Sequence, residues 1–321
     1  MSQETYTQKI IVIPEDYPKR LDIYLAQKTA KTRSSIQKMI EAHRIKVNNS
    51  PVSSNYKPKI GDEITIIEET IKETTLEPEP IHINIFYRDD YIVVVDKPSG
   101  MVVYPSIGHN SGTLINAIYY HCKKVANAGL PLRPGIVHRL DKDTSGVMVV
   151  ALDDIAYYRL VDIFRNRQIE RQYRCIVSGR VTREFGSISF HIGRSEQDRK
   201  KMSIKTRKGK VAITQWNVIE RFASATYLGI KLGTGRTHQI RVHMSAIGHP
   251  VLGDRTYGKK TQIIVGKEVF KIDRQMLHAA FLGFDHPITG KRLEFKSPLP
   301  DDILKCLDFL RNKEEGGSKD E

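Results

Sequence analysis

The chain has 321 residues, with 51 Lys and Arg against 37 Asp and Glu, a formal charge of +14. Such a length suits two domains, or one large domain with an appendage, and 40% hydrophobic residues are enough for a real core. No stretch approaches the roughly 18 apolar residues of a spanning helix and MSQETYTQK lacks a secretory signal's apolar core, so a soluble, cytoplasmic chain with no membrane partner is expected, its basic excess directed at a polyanion.

Residues 1–17 read as an N-terminal extension, frayed over 1–9. A compact unit follows over 18–68. In RLDIYLAQ, Leu21, Tyr24 and Leu25 have helical spacing. Ser34 or Ser35 is placed to cap a second helix with Ile36, Met39 and Ile40 on its inner face. RIKVNNSPV alternates like a strand running into a turn, and GDEITII supplies another. The acidic, Thr-rich stretch to Pro80, taken as 69–80, reads as a linker. A second domain then spans 81–310. Its strand candidates are YIVVVD, GMVVYP, GVMVVAL, QYRCIVSG, SISFHI, KVAITQWNVI and YLGIKL. Helices are expected over 113–121 and 155–165, and over His238–Ile247, with Thr237 as cap and Gly248 as stop. Strands with interspersed helices and no regular βαβ alternation predict an α+β fold with a mainly antiparallel mixed sheet behind a small α+β domain. The tail 311–321 reads as disordered. Cys122, Cys175 and Cys306 lie far apart, form no C-x-x-C, and read as buried small hydrophobes.

Asp141 stands in GIVHRLDKDTSGVMVV, a polar knot directly before an apolar run. Asp is common in turns because its side chain bonds nearby N–H groups. Against that plain reading stand the density of the cluster, the rigid strand beside it and the surrounding basic residues, which would keep the carboxylate ionised. An ionised Asp on a rigid loop can act as a nucleophile. In GTGRTHQIRVH, Arg236, His238, Arg241 and His243 crowd a helix start, either as a solvated basic face or as an arginine paired with a carboxylate beside phosphate-binding groups. His238 and His243 are five apart, poor helical spacing for one metal, and no metal site is expected. Tyr173 alternates with Arg171 and Cys175 on a strand face and is either core or a surface on which a base stacks. Residues 193–210 hold eight Lys or Arg, among them Lys200, Lys201 and Arg207, against two acids, which favours phosphate contact. A retaining glycosidase would need two carboxylates about 5 Å apart. Asp141 and Asp143 lack the accompanying aromatic set, and P-loop and dinucleotide motifs are absent.

HRLDKDTSG and GRTHQIRVH, with DKPSG (96–100) and GHPVLGD (248–254), resemble the RluA/RluD-type pseudouridine synthases. Residues 18–68 resemble an S4 RNA-binding domain, and the combination looks most like the RluD branch. The resemblance implies an isomerase that converts uridine to pseudouridine in RNA, in that branch large-subunit (23S) rRNA, free or in a pre-ribosomal particle. It implies no cofactor. It assigns Asp141 as nucleophile, Tyr173 as the ring packing on the target uracil, Arg241 as the partner of Asp141, and Arg139 as the side chain filling the space of an extruded base. His138, Arg236, His238, Lys200, Lys201 and Arg207 are read as further RNA contacts, as are Arg33, Lys38, Arg44 and Lys46 of the S4-like unit. Nothing suggests an obligate interface, so a monomer is expected.

Overall fold

The computed structural model describes residues 5–13, 19–29, 32–69, 76–105, 109, 111–129, 133–198, 201–265 and 267–317. Two compact units divide the chain, residues 1–75 and 76–321. Residues 70–75 of the expected linker over 69–80, and the site candidate Lys200, lie outside the described residues.

The first unit contains β1 (Thr5–Ile11), α1 (Leu21–Lys28), α2 (Arg33–Glu41), β2 (Ile45–Val47), β3 (Ser50–Pro51) and β4 (Glu63–Glu69). Its antiparallel sheet has the order β1-β4-β2-β3. Leu21, Leu25, Ile36, Ile40, Ile45, Ile64 and Ile66 form its core. The expectation of frayed residues 1–9 is corrected for residues 5–9, residues 1–4 lying outside the described ones: β1 pairs with β4 along its whole length, from Thr5 opposite Glu69 to Ile11 opposite Glu63. The α2 cap is also corrected. Thr32 is the N-cap, its side chain accepting from Ser35 N–H, so Ser34 and Ser35 lie inside the helix.

The second unit contains β5 (Asn84–Arg88), β6 (Ile92–Lys97), α3 (Leu114–Cys122), β7 (Ser145–Ala151), α4 (Asp154–Arg165), β8 (Glu170–Ser178), β9 (Phe185–Arg194), β10 (Met202–Ser203), β11 (Lys210–Arg221), β12 (Ala225–Leu232), α5 (Gln239–Ala246), β13 (Gln262–Val265), β14 (Glu268–Lys271), β15 (Leu277–Asp285), β16 (Arg292–Lys296) and α6 (Asp301–Gly317). One large sheet runs β10-β9-β11-β12-β8-β15-β7-β6-β5, with β16 on β15. Every pairing in it is antiparallel except β15 with β7. The fold is therefore α+β with a mainly antiparallel mixed sheet. All seven residues of β7 are buried. Met148 and Val150 pack with α3 residues Leu114 and Ile118, while Val147 and Val149 pack with Ala156 and Leu160 of α4. A strand covered on both faces reads as a continuous apolar run, which explains the sequence after the polar knot.

Other expectations are corrected here. GMVVYP is not a strand. Helix α5 begins at Gln239, and its N-cap is His238 in the left-handed region (φ 55°), so Thr237 does not cap it. The tail is not wholly irregular, because α6 continues to Gly317. Cys122, Cys175 and Cys306 are buried and free. Among the described residues, no helix is long and apolar enough to cross a membrane.

Candidate active site

Asp141 lies four residues before β7, in a loop pinned from several sides. Thr144 N–H donates to the Asp141 carbonyl, closing the turn. The carbonyl of Lys142 accepts from Gly100 N–H and from the Lys97 ammonium. That of Asp143 accepts from Ser99 Oγ and from Arg274 Nη1. Lys97 is fully buried, and its Nζ also donates to the carbonyls of Pro98 (2.7 Å) and Met101 (2.9 Å). Burial pushes its pKa down to about 7, against the charges of Asp143 and Asp141. Its three carbonyl acceptors match the three protons that only the ammonium form carries.

Sheet register brings Tyr173 to the same place. Gly146 of β7 and Tyr173 of β8 both pair with Ala279 of β15. Two strand spacings, about 10 Å, thus separate the start of β7 from Tyr173. Gly146 has φ +118°, and a Cβ there would lie 2.2 Å from the Ala279 carbonyl oxygen, so the parallel pairing requires glycine. As the alternation implied, Arg171, Tyr173 and Cys175 are buried positions of β8, followed by the buried Ile176 and Val177. Burial raises the Tyr173 pKa, with Asp141 adding to the effect and Arg171 opposing it, so the phenol is neutral.

Arg241 comes from α5. Its Nη1 donates to Asp141 Oδ2 at 2.9 Å, while Nε and Nη2 donate to Asp254 Oδ2 and Oδ1 at 2.7 and 2.9 Å. Burial alone would lower its pKa, but the bonds to Asp254 and the charge of Asp141 raise it overall. Asp254 is fully buried, and its Oδ1 also accepts from the N–H groups of Thr256 and Tyr257. Burial pushes this carboxyl upward, yet the Arg241 bonds and charge bring it below its usual value.

His238 faces Asp141 from the other side, Nε2 to Oδ1 3.8 Å. Its Nδ1 lies 2.8 Å from Tyr257 Oη, which already accepts from Met202 N–H. The tyrosine proton is then left for Nδ1, and the neutral ring carries its own proton on Nε2, toward Asp141. Burial lowers the His238 pKa despite the attraction of Asp141. Asp141, Tyr173, Arg241, Arg139, Arg236 and His238 all line one cavity of about 530 Å³.

Residues 91–246 match the family model for RNA pseudouridylate synthase, and residues 19–64 match the S4 domain. An RNA pseudouridine synthase of Bacillus subtilis, YlyB, is 41% identical over 298 residues, covering 92% of this chain and 96% of its own. The chain belongs to the RNA pseudouridine synthase family. The ribosomal large subunit pseudouridine synthase D of Pseudomonas aeruginosa is also 41% identical, with 92% and 93% coverage. The human RNA pseudouridylate synthase domain containing 1 protein superposes with a TM-score of 0.53 at 28% identity, over 72% of this chain and 95% of that one. The resemblance drawn from HRLDKDTSG and GRTHQIRVH therefore holds, and with it an RNA-binding isomerase carrying an S4 domain.

Within this pseudouridine synthase the remaining candidates separate. Arg139 and Arg236 are exposed, Arg236 with its Nε on the Val211 carbonyl. His138 lines the same cavity and is partly buried. Its ring stacks on Phe164 at 4.7 Å, and Nε2 accepts from Val149 N–H of β7. Burial, aided by Arg171, lowers its pKa to about 3, which keeps it neutral. Lys201 pairs with Asp198 at 3.7 Å, and Arg207 is exposed. In the S4 unit, Lys38 is exposed and Arg44 and Lys46 are partly buried. Arg33 is exposed but spends its Nε on the fully buried Asp22, which also binds Arg20 and Gln37. Among the described residues, no group of three or more His, Cys, Asp or Glu is placed to hold a metal ion. Sequence reasoning passed over Asp254, Lys97 and Tyr257. The first two sit inside the quoted GHPVLGD and DKPSG stretches, and that was their signal.

Proposed function

We propose that the protein converts specific uridines of large-subunit (23S) ribosomal RNA to pseudouridine, with Asp141 as the nucleophile. The observation that carries this reading is the carboxylate of Asp141, held at 2.9 Å by an arginine that a second buried carboxylate orients, in the wall of a cavity shared with Tyr173. Relatives 40–41% identical named for the large subunit support the choice of RNA.

Isomerisation breaks N1–C1′ and forms C5–C1′. The proton on C5 leaves and N1 gains one, so no electron is gained or lost and the reaction requires no redox partner or nucleotide energy. Arg241 occupies Oδ2, leaving Oδ1 as the attacking oxygen, at C1′ of the sugar or C6 of the base. The target uridine leaves its stack at a cost of a few kcal/mol. Stacking on Tyr173 returns about 1–3 kcal/mol of that, and Arg139, exposed beside Asp141, fills the gap left in the RNA. Arg236, Arg207, Lys200 and Lys201 attract phosphates, and the S4 domain, with Lys38, Arg44 and Lys46, adds a second RNA foothold. The enzyme acts as a cytoplasmic monomer on rRNA or a pre-ribosomal particle.

Chemical mapping of pseudouridines in rRNA from cells with and without the gene tests this. One or more large-subunit pseudouridines should vanish with the gene and return with the wild-type copy. Identical maps would remove large-subunit rRNA as the substrate.

A further inference from the structure

The buried arginines of the catalytic unit differ in one respect. Arg241 makes three bonds to two carboxylates. Arg274 makes five, two to Asp302 and three to the carbonyls of Asp143, Gln275 and Leu277. Arg171 is only 8% exposed, yet among the described residues its guanidinium has no hydrogen-bond acceptor and no carboxylate partner, and its Nε is buried and unsatisfied. What it has is a ring. The guanidinium lies over Phe164 at 5.5 Å, with His138 stacked on the same phenyl group. A stacked guanidinium keeps its N–H edge free for an acceptor.

That edge belongs to the wall of the 530 Å³ cavity that holds Asp141 and Tyr173. Space is kept for it by Gly235, where a Cβ would lie 2.7 Å from Arg171 Nη1. Arg133, Arg165 and Arg167, all exposed, line the same cavity. A buried cation without a counter-charge is costly, and a neutral carbonyl would answer its hydrogen bonds but not its charge. An anionic oxygen answers both.

We propose that Arg171 is the phosphate-binding residue inside the nucleotide cavity, donating to a non-bridging oxygen of the phosphodiester that flanks the extruded uridine. The proposal rests on the reading of the cavity as the uridine site. Spacing agrees with it. Arg171 and Tyr173 stand two residues apart on one strand face, about 7 Å, comparable to the separation of phosphate and base within one nucleotide. With Tyr173 on the base, Arg171 meets its phosphate, and Arg133, Arg165 and Arg167 draw the adjoining backbone to the rim.

The test uses the full-length protein and a 23S rRNA stem-loop containing a mapped target uridine. Binding is measured over a range of KCl concentrations, and tritium release from 5-tritiated uridine is followed in parallel. Arg171→Gln should weaken binding about 10-fold and reduce the slope of log K against log salt by about one. Arg171→Lys, which keeps a charge, should recover most of the binding. A neutral methylphosphonate at the phosphate beside the target should weaken wild-type binding similarly and cost Arg171→Gln nothing more. An unchanged salt slope, or methylphosphonate and Arg171→Gln effects that simply add, would overturn the proposal. So would a loss of discrimination confined to uracil O4 analogues, which would make the contact a base carbonyl. If Arg171→Gln does not fold by circular dichroism, Gly235→Ala pushes the guanidinium aside with its charge intact, and should reproduce the methylphosphonate effect. A methylphosphonate scan of the wild-type complex in which no single phosphate near the target matters overturns the proposal by itself. Normal tritium release by the wild type beside a null result for Arg171 rejects only Arg171. Absence of release from any rRNA substrate rejects the uridine-site reading and this proposal with it.

Discussion

Asp254 takes two of the three guanidinium nitrogens of Arg241, at 2.7 and 2.9 Å, and so aims the third, Nη1, at Asp141. A lone arginine opposite Asp141 would supply charge but not direction. The buried pair fixes the plane of the guanidinium, and the plane fixes which oxygen of Asp141 is covered.

Asp254→Asn should therefore lower turnover by about 100-fold, the scale of a misplaced reacting group, with RNA affinity nearly unchanged. It also leaves the buried Arg241 short of a counter-charge and should destabilise the unit by roughly 3 kcal/mol. Single-turnover kinetics and urea unfolding measure the two effects separately. Unaltered turnover in a folded Asp254→Asn protein would mean that Asp141 does not depend on the aim of Arg241.

Lys97 acts at a distance. Its ammonium ties the Lys142 carbonyl to those of Pro98 and Met101, which holds the loop carrying Asp141. Lys97→Met fills the volume but leaves three carbonyls without that donor. Turnover should fall at least about 10-fold with little change in RNA affinity, since the loss is one of loop position. Equal loss of binding would show that Lys97 serves the RNA interface instead.

How far these residues were legible depends on the kind of signal. Asp141, Tyr173 and Arg241 stand inside dense motifs, and the alternation Arg171–Tyr173–Cys175 matches the burial of β8 from residue 170 to 175. The partners are another matter. Asp254 lies 13 residues beyond Arg241 in a turn whose purpose shows only when α5 packs beside it, and the acceptors of Lys97 are backbone carbonyls as far away as residue 142. Backbone acceptors have no residue identity and leave no pattern. His138 also has a backbone partner that leaves no pattern in the sequence: its lone pair accepts from β7. The fold class followed from the order of strands and helices. The parallel pairing of β15 with β7 joins residues more than 130 apart and had no local trace.

Gly146 is the covalent minimum of that pairing. Gly146→Ala would place a methyl group 2.2 Å from the Ala279 carbonyl at a backbone angle that L side chains avoid. It should destabilise the catalytic unit by more than about 2 kcal/mol. Differential scanning calorimetry would show the drop, and an unchanged melting temperature would contradict this register.

Acid should weaken the fold through three histidines. Burial lowers the pKa of His138 to about 3 and those of His243 and His278 to about 4, below the unfolded value near 6.5. Because the folded values are depressed, the unfolded chain binds more protons between pH 6.5 and about 4, and stability falls as pH drops through that window. From pH 6.5 to 5 each buried histidine contributes about 2 kcal/mol to the loss. Urea unfolding at pH 7.5 and pH 5 measures the sum. His243→Gln should reduce the difference by its share, and equal stability at the two pH values would show that these rings are not neutral when folded.

Asp141→Asn tests the catalytic assignment most directly. The substitution keeps size and much of the hydrogen bonding but removes the carboxylate charge that the proposed attack requires. On rRNA carrying 5-tritiated uridine, the Asn protein should bind within about twofold of wild type and release tritium at least about 1,000-fold more slowly. Release at the wild-type rate by the folded variant would mean that some other group attacks the uridine.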